Sequence, residues 1–134
     1  PSAPTPSSAK RTILLVDDDP AVRRMVKALF GLDGHAVEVA RNPQHALELA
    51  QRGGFDLIIA DARAATRGGG KLFVEELVAR RPGLRDRTIV ATGDVGAATE
   101  ETLTRLGLRY LRKPFNLRDL RDAAARLWAA TALS

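Results

Sequence analysis

The sequence predicts an α/β fold, with one doubly wound sheet of five parallel strands and five helices packed on its two faces. Short apolar runs alternate along the chain with segments whose apolar residues recur at helical spacing. Nearly continuous apolar strands are typical of a parallel sheet that is covered on both faces, and their alternation with helices is typical of the α/β class. The chain has 134 residues, which is enough for one domain with its own core.

The five strands are the short apolar runs. The first reads TILLV and the third reads FDLIIA, and both have the length that is usual for strands in globular proteins. The predicted strands cover residues 12–16, 35–40, 55–60, 88–91 and 108–112.

The helices are predicted from their start and stop signals. The pairs Asp19-Pro20 and Asn42-Pro43 each combine an N-cap residue with proline at the first helical position. Gly31 is expected to end the first helix, and Gly53-Gly54 the second. Asn116 can cap the last helix. The remaining helices are expected over residues 72–81, 99–106 and 117–128.

Composition limits the classes of function. Residues 1–10 are rich in proline and serine and are expected to form a flexible tail or linker, so the folded domain should cover residues 11–134. The net charge is +5, but aromatic residues make up only 4% and no helix-turn-helix or zinc-finger pattern is present, so nucleic-acid binding is not expected. The chain has no cysteine, no apolar run of membrane length and no targeting segment, and we expect a cytoplasmic domain without membrane contact.

Acidic and basic residues follow the predicted strands. Asp17, Asp18 and Asp19 come directly after the first strand, Asp61 follows the third, and Lys113 follows the fifth. In open parallel sheets, ligands bind beyond the carboxyl ends of the strands, so these side chains should meet there. Carboxylates that are forced together favour a divalent cation, and hard oxygen ligands suit Mg²⁺. A cation, a lysine and one remaining carboxylate nucleophile are the groups that phosphoryl transfer requires.

Four segments carry a resemblance to a known family. They read ILLVDDDP at residues 13–20, FDLIIAD at 55–61, ATG at 91–93 and YLRKPF at 110–115. In this order and spacing they resemble the CheY-like receiver domains of response regulators, over residues 11 to about 130. The resemblance implies a flavodoxin-like sheet with the strand order 2-1-3-4-5.

The resemblance implies a role for each acid of the cluster. Asp61 matches the residue that accepts the phosphoryl group. Asp18 matches the direct Mg²⁺ ligand, and Asp17 matches the acid that acts largely through water. The backbone carbonyl of Arg63 would also bind the metal. Asp19 is better explained as the N-cap of the first helix than as a ligand.

The resemblance also implies a switch. Lys113 matches the lysine that contacts the phosphoryl oxygens, and Thr92 matches the hydroxyl that moves toward them. Tyr110 matches the aromatic side chain that changes rotamer with Thr92, although a core role alone would also explain it. The bond Lys113-Pro114 is expected to be cis. The two histidines, His35 and His45, are expected to lie too far from the strand ends to act.

The segment after Asp61 departs from the family. Ala64 and Ala65 stand where the family usually has Met-Pro, and several glycines follow. We expect a mobile loop over residues 61–70 and a late start of the third helix. Arg63 and Arg67 bring positive charge close to Asp61 and are expected to alter the lifetime of the phosphoryl group.

The resemblance predicts a phosphoacceptor receiver domain of a bacterial two-component phosphorelay. Its donor partner is a histidine kinase or a histidine phosphotransfer domain, and its output partner binds the face formed by helix 4, strand 5 and helix 5. The domain would catalyse its own phosphorylation and dephosphorylation. No output domain is expected after the last helix, and the context is either the C-terminal receiver of a hybrid sensor histidine kinase, which we favour, or a free-standing regulator.

Two other functions fit parts of the sequence. A degenerate receiver, acting as an interaction module without phosphorylation, is favoured by the altered loop but disfavoured by the complete set of acids and Lys113. A haloacid-dehalogenase-like phosphatase would need a second aspartate two residues after the nucleophile, where this chain has Arg63.

Overall fold

The computed structural model describes residues 10–65, 72–93 and 97–132. Five parallel strands form one sheet with the order β2-β1-β3-β4-β5, which confirms the predicted fold. The expected tail over residues 1–10 and the middle of the loop that follows Asp61 lie almost entirely outside the described residues. The strands are β1 (Thr12–Val16), β2 (Ala36–Val39), β3 (Leu57–Asp61), β4 (Thr88–Thr92) and β5 (Arg109–Arg112).

In the described part of the chain, five α-helices connect and follow the strands. The N-caps of the first two are those that the sequence predicts: Asp19 accepts a hydrogen bond from the backbone N–H of Ala21, and Asn42 accepts one from that of His45. Asn116 caps the last helix by accepting from the N–H of Asp119 at 2.8 Å. The helices are α1 (Pro20–Leu32), α2 (Pro43–Arg52), α3 (Phe73–Arg80), α4 (Ala97–Leu106) and α5 (Leu117–Ala132).

The helices cover the sheet on both faces. On one face, α1 and α5 pack over alternate residues of the central strands, such as Ile13, Ile59 and Ile89. On the other face, α2, α3 and α4 cover the intervening residues, such as Leu14 and Ile58. Side chains of β1, β3 and β4 are buried on both faces, which explains why their sequences are apolar without alternation.

Gly31 does not end the first helix, so that prediction is wrong. The helix continues to Leu32 with Asp33 as its C-cap, and the residue that takes a positive φ is Gly34, at 84°. A left-handed residue just after the last turn is the usual way for a helix to end, and glycine adopts it without steric cost. The stop signal was therefore the second glycine of the segment.

Several other boundaries differ from the prediction. The segment Pro82–Arg87, for which the sequence predicted no element, forms a 3-10 helix. Strand β2 is shorter than expected at both ends, and β3 and β5 begin later than expected. At their carboxyl ends, β3 and β4 each extend by one residue, to include Asp61 and Thr92. Helix α4 begins two residues earlier than expected. Among the described residues, no helix is both long and apolar enough to cross a membrane.

Candidate functional site

The carboxyl ends of four strands meet at one edge of the sheet. Strands β1 and β3 pair through Val16 and Ala60, which places the following residues, Asp17 and Asp61, side by side. Thr92 is the last residue of β4, and Lys113 comes directly after β5. The structure therefore brings together the acids, the threonine and the lysine that the sequence places after the strands.

Asp17 is the buried member of the acidic cluster, with its side chain fully excluded from solvent. Its Oδ1 accepts a hydrogen bond from the Asp19 backbone N–H at 2.9 Å, and its Oδ2 lies 2.9 Å from the Lys113 ammonium. Burial raises the pKa of the Asp17 carboxyl above its usual range, although the Asp19 N–H and Lys113 oppose that shift. The buried carboxylate of Asp17 is therefore energetically unfavourable unless a cation lies beside it.

Lys113 is shared between two acids. Its Nζ lies 2.9 Å from Asp17 Oδ2 and 3.5 Å from Asp61 Oδ2, and its side chain is 19% exposed. Burial alone would lower the pKa of Lys113, but the hydrogen bond and charge of Asp17, with the charge of Asp61, raise it above its ordinary value. The backbone N–H of Lys113 donates to the Thr92 carbonyl at 2.7 Å, and the Lys113-Pro114 peptide bond is cis.

Asp61 is more accessible than Asp17, with 14% of its side chain exposed. Its Oδ1 accepts a hydrogen bond from the Arg63 backbone N–H at 3.0 Å, which fixes the orientation of the carboxylate. Asp17, Asp18 and Asp61 each offer a carboxylate oxygen, and these atoms lie within 4.8 Å of one another. Such an oxygen-only donor set, with Asp18 exposed to water, fits a hard divalent cation that keeps part of its hydration shell.

Thr92 and Tyr110 lie on the same face of the sheet. Val90 pairs with Tyr110 across β4 and β5, and Thr92 is two residues beyond Val90, so all three side chains point to the same side. Thr92 is buried, and Tyr110 is partly buried against the core beneath α2, α3 and α4. At the level of Thr92, Arg112 of β5 forms an ion pair with Glu100 of α4. The site is thus connected to α4 through one face of the sheet.

A cavity of about 530 Å³ adjoins the acids, and three arginines line it. Arg23 of α1 donates its Nε to the Asp17 carbonyl at 2.6 Å, Arg41 follows β2, and Arg63 follows Asp61. Of these three arginines, only Arg63 was predicted from the sequence to lie close to Asp61. A signal for Arg41 was available, because it lies at the carboxyl end of a strand like the acids, whereas the position of Arg23 depends on how α1 packs.

The histidines do not line this cavity, but one of them lies beside it. His45 accepts hydrogen bonds at Nδ1 from the backbone N–H of Arg41 at 3.0 Å and from its Nε at 3.4 Å. His35 precedes β2, at the end of the strands opposite to the acids, and is buried. His45 thus lies outside the cavity lining, but it holds an arginine of the cavity wall in place.

The loop after Asp61 is closed at its base. Ala65 and Leu72 form an antiparallel bridge, and the backbone N–H of Phe73 donates to the Ala64 carbonyl at 2.7 Å. Helix α3 begins at Phe73, one residue after this bridge. Residues 66–71, including Arg67 and the three glycines, lie outside the described part of the chain.

Comparison with known sequences gives one family. The profile described as "Response regulator receiver domain" matches residues 13–125. The response regulator protein PilR of Pseudomonas aeruginosa is 31% identical over 117 residues, which cover 87% of this chain and 26% of PilR. The transcriptional regulatory protein ZraR of Escherichia coli K12 is 31% identical over 119 residues, covering 89% of this chain and 26% of ZraR. The chain spans about a quarter of the length of these relatives.

Solved structures with the same fold include three receiver proteins. A CheY-like receiver domain protein from Methanospirillum hungatei has a TM-score of 0.78 and 26% identity, covering 94% of this chain and 100% of that one. CheY4 of Vibrio cholerae has a TM-score of 0.73 and 28% identity, covering 89% and 99%. The receiver domain of the sensor histidine kinase PA1611 from Pseudomonas aeruginosa has a TM-score of 0.75 and 27% identity, covering 90% and 99%, and holds a magnesium ion in its active-site cleft.

Proposed function

This chain belongs to the family of response regulator receiver domains of two-component systems, and we propose that it is a phosphorylation-controlled switch whose acceptor residue is Asp61. The observation that carries the proposal is the convergence of Asp61 with a buried acid, an exposed acid and a lysine at one edge of the sheet. Lys113 lies within 3.5 Å of Asp61 Oδ2 and 2.9 Å of Asp17 Oδ2. The partners that we propose for the domain are a histidine kinase or a histidine phosphotransfer domain.

The acidic cluster fits a magnesium ion. Asp18 and Asp61 would be direct ligands with the Arg63 carbonyl, and Asp17 would act through water. When bound, the ion neutralises charge on the phosphoryl oxygens and on the carboxylates that surround them. The magnesium in the PA1611 receiver domain, which is 27% identical to this chain, supports the assignment.

The residues of the chain perform the transfer by position and charge. A carboxylate oxygen of Asp61 attacks phosphorus, an O–P bond forms, and the bond from phosphorus to the donor histidine nitrogen breaks. The Arg63 N–H, which donates to Asp61 Oδ1 at 3.0 Å, holds the carboxylate in one orientation for the attack. Lys113 then donates to a phosphoryl oxygen, in place of its present contact with Asp61.

The switch runs from Thr92 to the surface. After transfer, the Thr92 hydroxyl donates to the phosphoryl group, and the space that it leaves is on the face of the sheet that also carries Tyr110. The ion pair between Arg112 and Glu100 links β5 to α4 at the same level, so movement at Thr92 reaches the face formed by α4, β5 and α5. That face would bind or release the output partner.

Phosphorylation of the purified chain tests the proposal directly. With Mg²⁺ and a small phosphodonor, intact-mass measurement should show the addition of one phosphoryl group to the wild type and none to Asp61→Asn. Removal of Mg²⁺ with a chelator should abolish the reaction. A chain that stays unmodified with several donors, while its magnesium binding is normal, would show instead the phosphorylation-independent interaction module.

The biological context that we favour is the receiver of a hybrid sensor histidine kinase. The similarity to the PA1611 receiver domain supports it, since that domain is part of a sensor histidine kinase. The named relatives PilR and ZraR are regulators, which supports the alternative of a response regulator. The coding sequence upstream of Pro1 distinguishes the two, because a hybrid kinase requires a kinase core there.

A further inference from the structure

The cavity beside Asp61 has more positive charge than the three acids need. Asp17, Asp18 and Asp61 are balanced in formal charge by Lys113 together with one divalent cation. The three arginines of the cavity wall, Arg23, Arg41 and Arg63, are additional to that balance. Within residues 10–65, 72–93 and 97–132, none of these arginines has a carboxylate within ion-pair distance.

The three arginines are not equivalent. Arg23 is partly buried and fixed by its bond to the Asp17 carbonyl, so it supports the backbone of the site. Arg41 and Arg63 are exposed, and both line the cavity together with Asp61. Arg41 is steadied by the contact of its Nε with His45. These two residues therefore border space that a small ligand can enter.

Phosphodonors differ in the charge of the group that leaves. When Asp61 takes the phosphoryl group from an acyl phosphate, the O–P bond to Asp61 forms and the bond from phosphorus to the acyl oxygen breaks. The electron pair stays on that oxygen, and a carboxylate anion departs without a proton. From a phosphoramidate, the nitrogen is protonated and departs as a neutral amine. Only the first reaction develops negative charge on the leaving group.

We infer that Arg41 and Arg63 form a leaving-group site that selects acyl phosphates over phosphorus–nitrogen donors. The inference rests on the proposed function of Asp61. Guanidinium groups bind carboxylates with strong charge-assisted hydrogen bonds. Contacts that become stronger as charge develops in the transition state accelerate the reaction. Contacts that are equally strong in the ground state and the transition state do not. Among small phosphodonors, the two arginines therefore favour acyl phosphates over compounds with a phosphorus–nitrogen bond.

Rates of labelling with two donors test the inference. Acetyl phosphate and phosphoramidate are compared in Mg²⁺ buffer by quenched intact-mass measurement, for the wild type, Arg41→Gln and Arg63→Gln. In each variant, the ratio of the acetyl phosphate rate to the phosphoramidate rate should fall about tenfold, because only the acyl donor uses the guanidinium. For Arg41→Gln, which changes no residue assigned to the metal or the acceptor, the phosphoramidate rate itself should stay within about twofold of wild type. The matched control is Arg24→Gln, an exposed arginine of α1 outside the cavity, which should change neither rate.

A binding measurement separates contact from chemistry. Acetylphosphonate has a phosphorus–carbon bond and cannot transfer its phosphoryl group, so it reports binding alone. In NMR titrations with Mg²⁺ present, the Nε–H signals of Arg41 and Arg63 should shift and that of Arg24 should not. High ionic strength should reduce the preference for acetyl phosphate in the wild type but not in the variants, because exposed charges are screened.

The outcomes distinguish this inference from the proposed function. If the wild type is labelled by both donors and either variant keeps the wild-type ratio of the two rates, the leaving-group site is wrong while Asp61 remains the acceptor. If neither donor labels the wild type, both the acceptor role of Asp61 and the leaving-group site fail.

Discussion

The ammonium of Lys113 lies 2.9 Å from a carboxylate oxygen of Asp17, whose side chain has no exposure to solvent. The contact with Asp61 is longer, at 3.5 Å. Before phosphorylation, Lys113 therefore compensates mainly the charge of Asp17, which is buried away from water. Because an ammonium has three N–H donors, Lys113 can exchange its contact with Asp61 for one with a phosphoryl oxygen while it keeps its contact with Asp17.

The first prediction concerns the stability that Lys113 supplies. In metal-free buffer, Lys113→Met should lower the free energy of unfolding by about 1–3 kcal/mol, because Asp17 keeps a buried carboxylate without its cation. Adding Mg²⁺ should stabilise the variant more than the wild type, since the ion replaces the missing charge in the folded state only. Urea denaturation with and without Mg²⁺ measures both effects.

The control for this prediction is Lys27→Met, which changes an exposed lysine of α1. It should alter stability by less than about 0.5 kcal/mol and leave the response to Mg²⁺ unchanged. Equal stability of Lys113→Met and wild type in chelator would contradict the view that Asp17 depends on the lysine.

The strands and the positions of the acids could be predicted because they depend on local sequence, whereas the strand order was implied by the family resemblance. TILLV and FDLIIA read as strands without any tertiary information, and Asp17 and Asp61 follow from where those strands end. Their proximity then follows from parallel pairing alone, since Val16 pairs with Ala60. The ion pairs of Lys113 are a consequence of the same geometry.

Other features could not be predicted because they depend on packing between elements. Gly31 and Gly34 are equal as stop signals, and only the path of the chain into β2 decides which one takes the positive φ. The 3-10 helix Pro82–Arg87 has too few residues to show a period. Arg23 reaches the Asp17 carbonyl because α1 packs at one angle, and no pattern in the sequence reports that angle.

The second prediction uses this pair of glycines. Gly31→Ala should stabilise the protein by about 0.5–1 kcal/mol, because the residue is helical and an added Cβ meets no atom within 4 Å. Gly34→Ala should destabilise it by about 1 kcal/mol, because the φ of 84° is unfavourable for alanine although there is space for its Cβ. Thermal or urea unfolding of the two variants measures whether their changes in stability have opposite signs. Effects of the same sign would contradict the assigned end of α1.

The third prediction concerns the pH dependence of stability. Burial lowers the pKa of His35, with opposing charge effects from Asp33 and Asp56 and a supporting one from Arg11. The unfolded chain therefore binds this proton more readily than the folded one, and stability should fall as the pH drops below about 6.5. Above that value, both states hold the neutral imidazole and the contribution is fully present.

His35→Asn isolates the effect. Asparagine keeps an acceptor for the Arg11 backbone N–H, which donates to His35 Nδ1 at 3.0 Å, but it does not titrate. The difference in unfolding free energy between wild type and variant should change between pH 7 and pH 5, with the wild type losing more. Trp128, whose ring centroid lies 5.3 Å from that of His35, is the single tryptophan and reports unfolding by fluorescence. A constant difference over this range would exclude His35 as the cause.

The last prediction concerns the coupling of Thr92 to Tyr110, which share one face of the sheet. Thr92→Val keeps the shape of a buried side chain but removes its hydroxyl. With Mg²⁺ and beryllofluoride as the phosphoryl analogue, wild type and Thr92→Ser should show changed amide NMR signals from Tyr110 to Arg112 and in α4. Thr92→Val should bind the analogue at Asp61 but leave those signals nearly unchanged, because no hydroxyl is drawn from that face. Full signal changes in Thr92→Val would show that the response reaches α4 by another route, such as the Glu100–Arg112 ion pair alone.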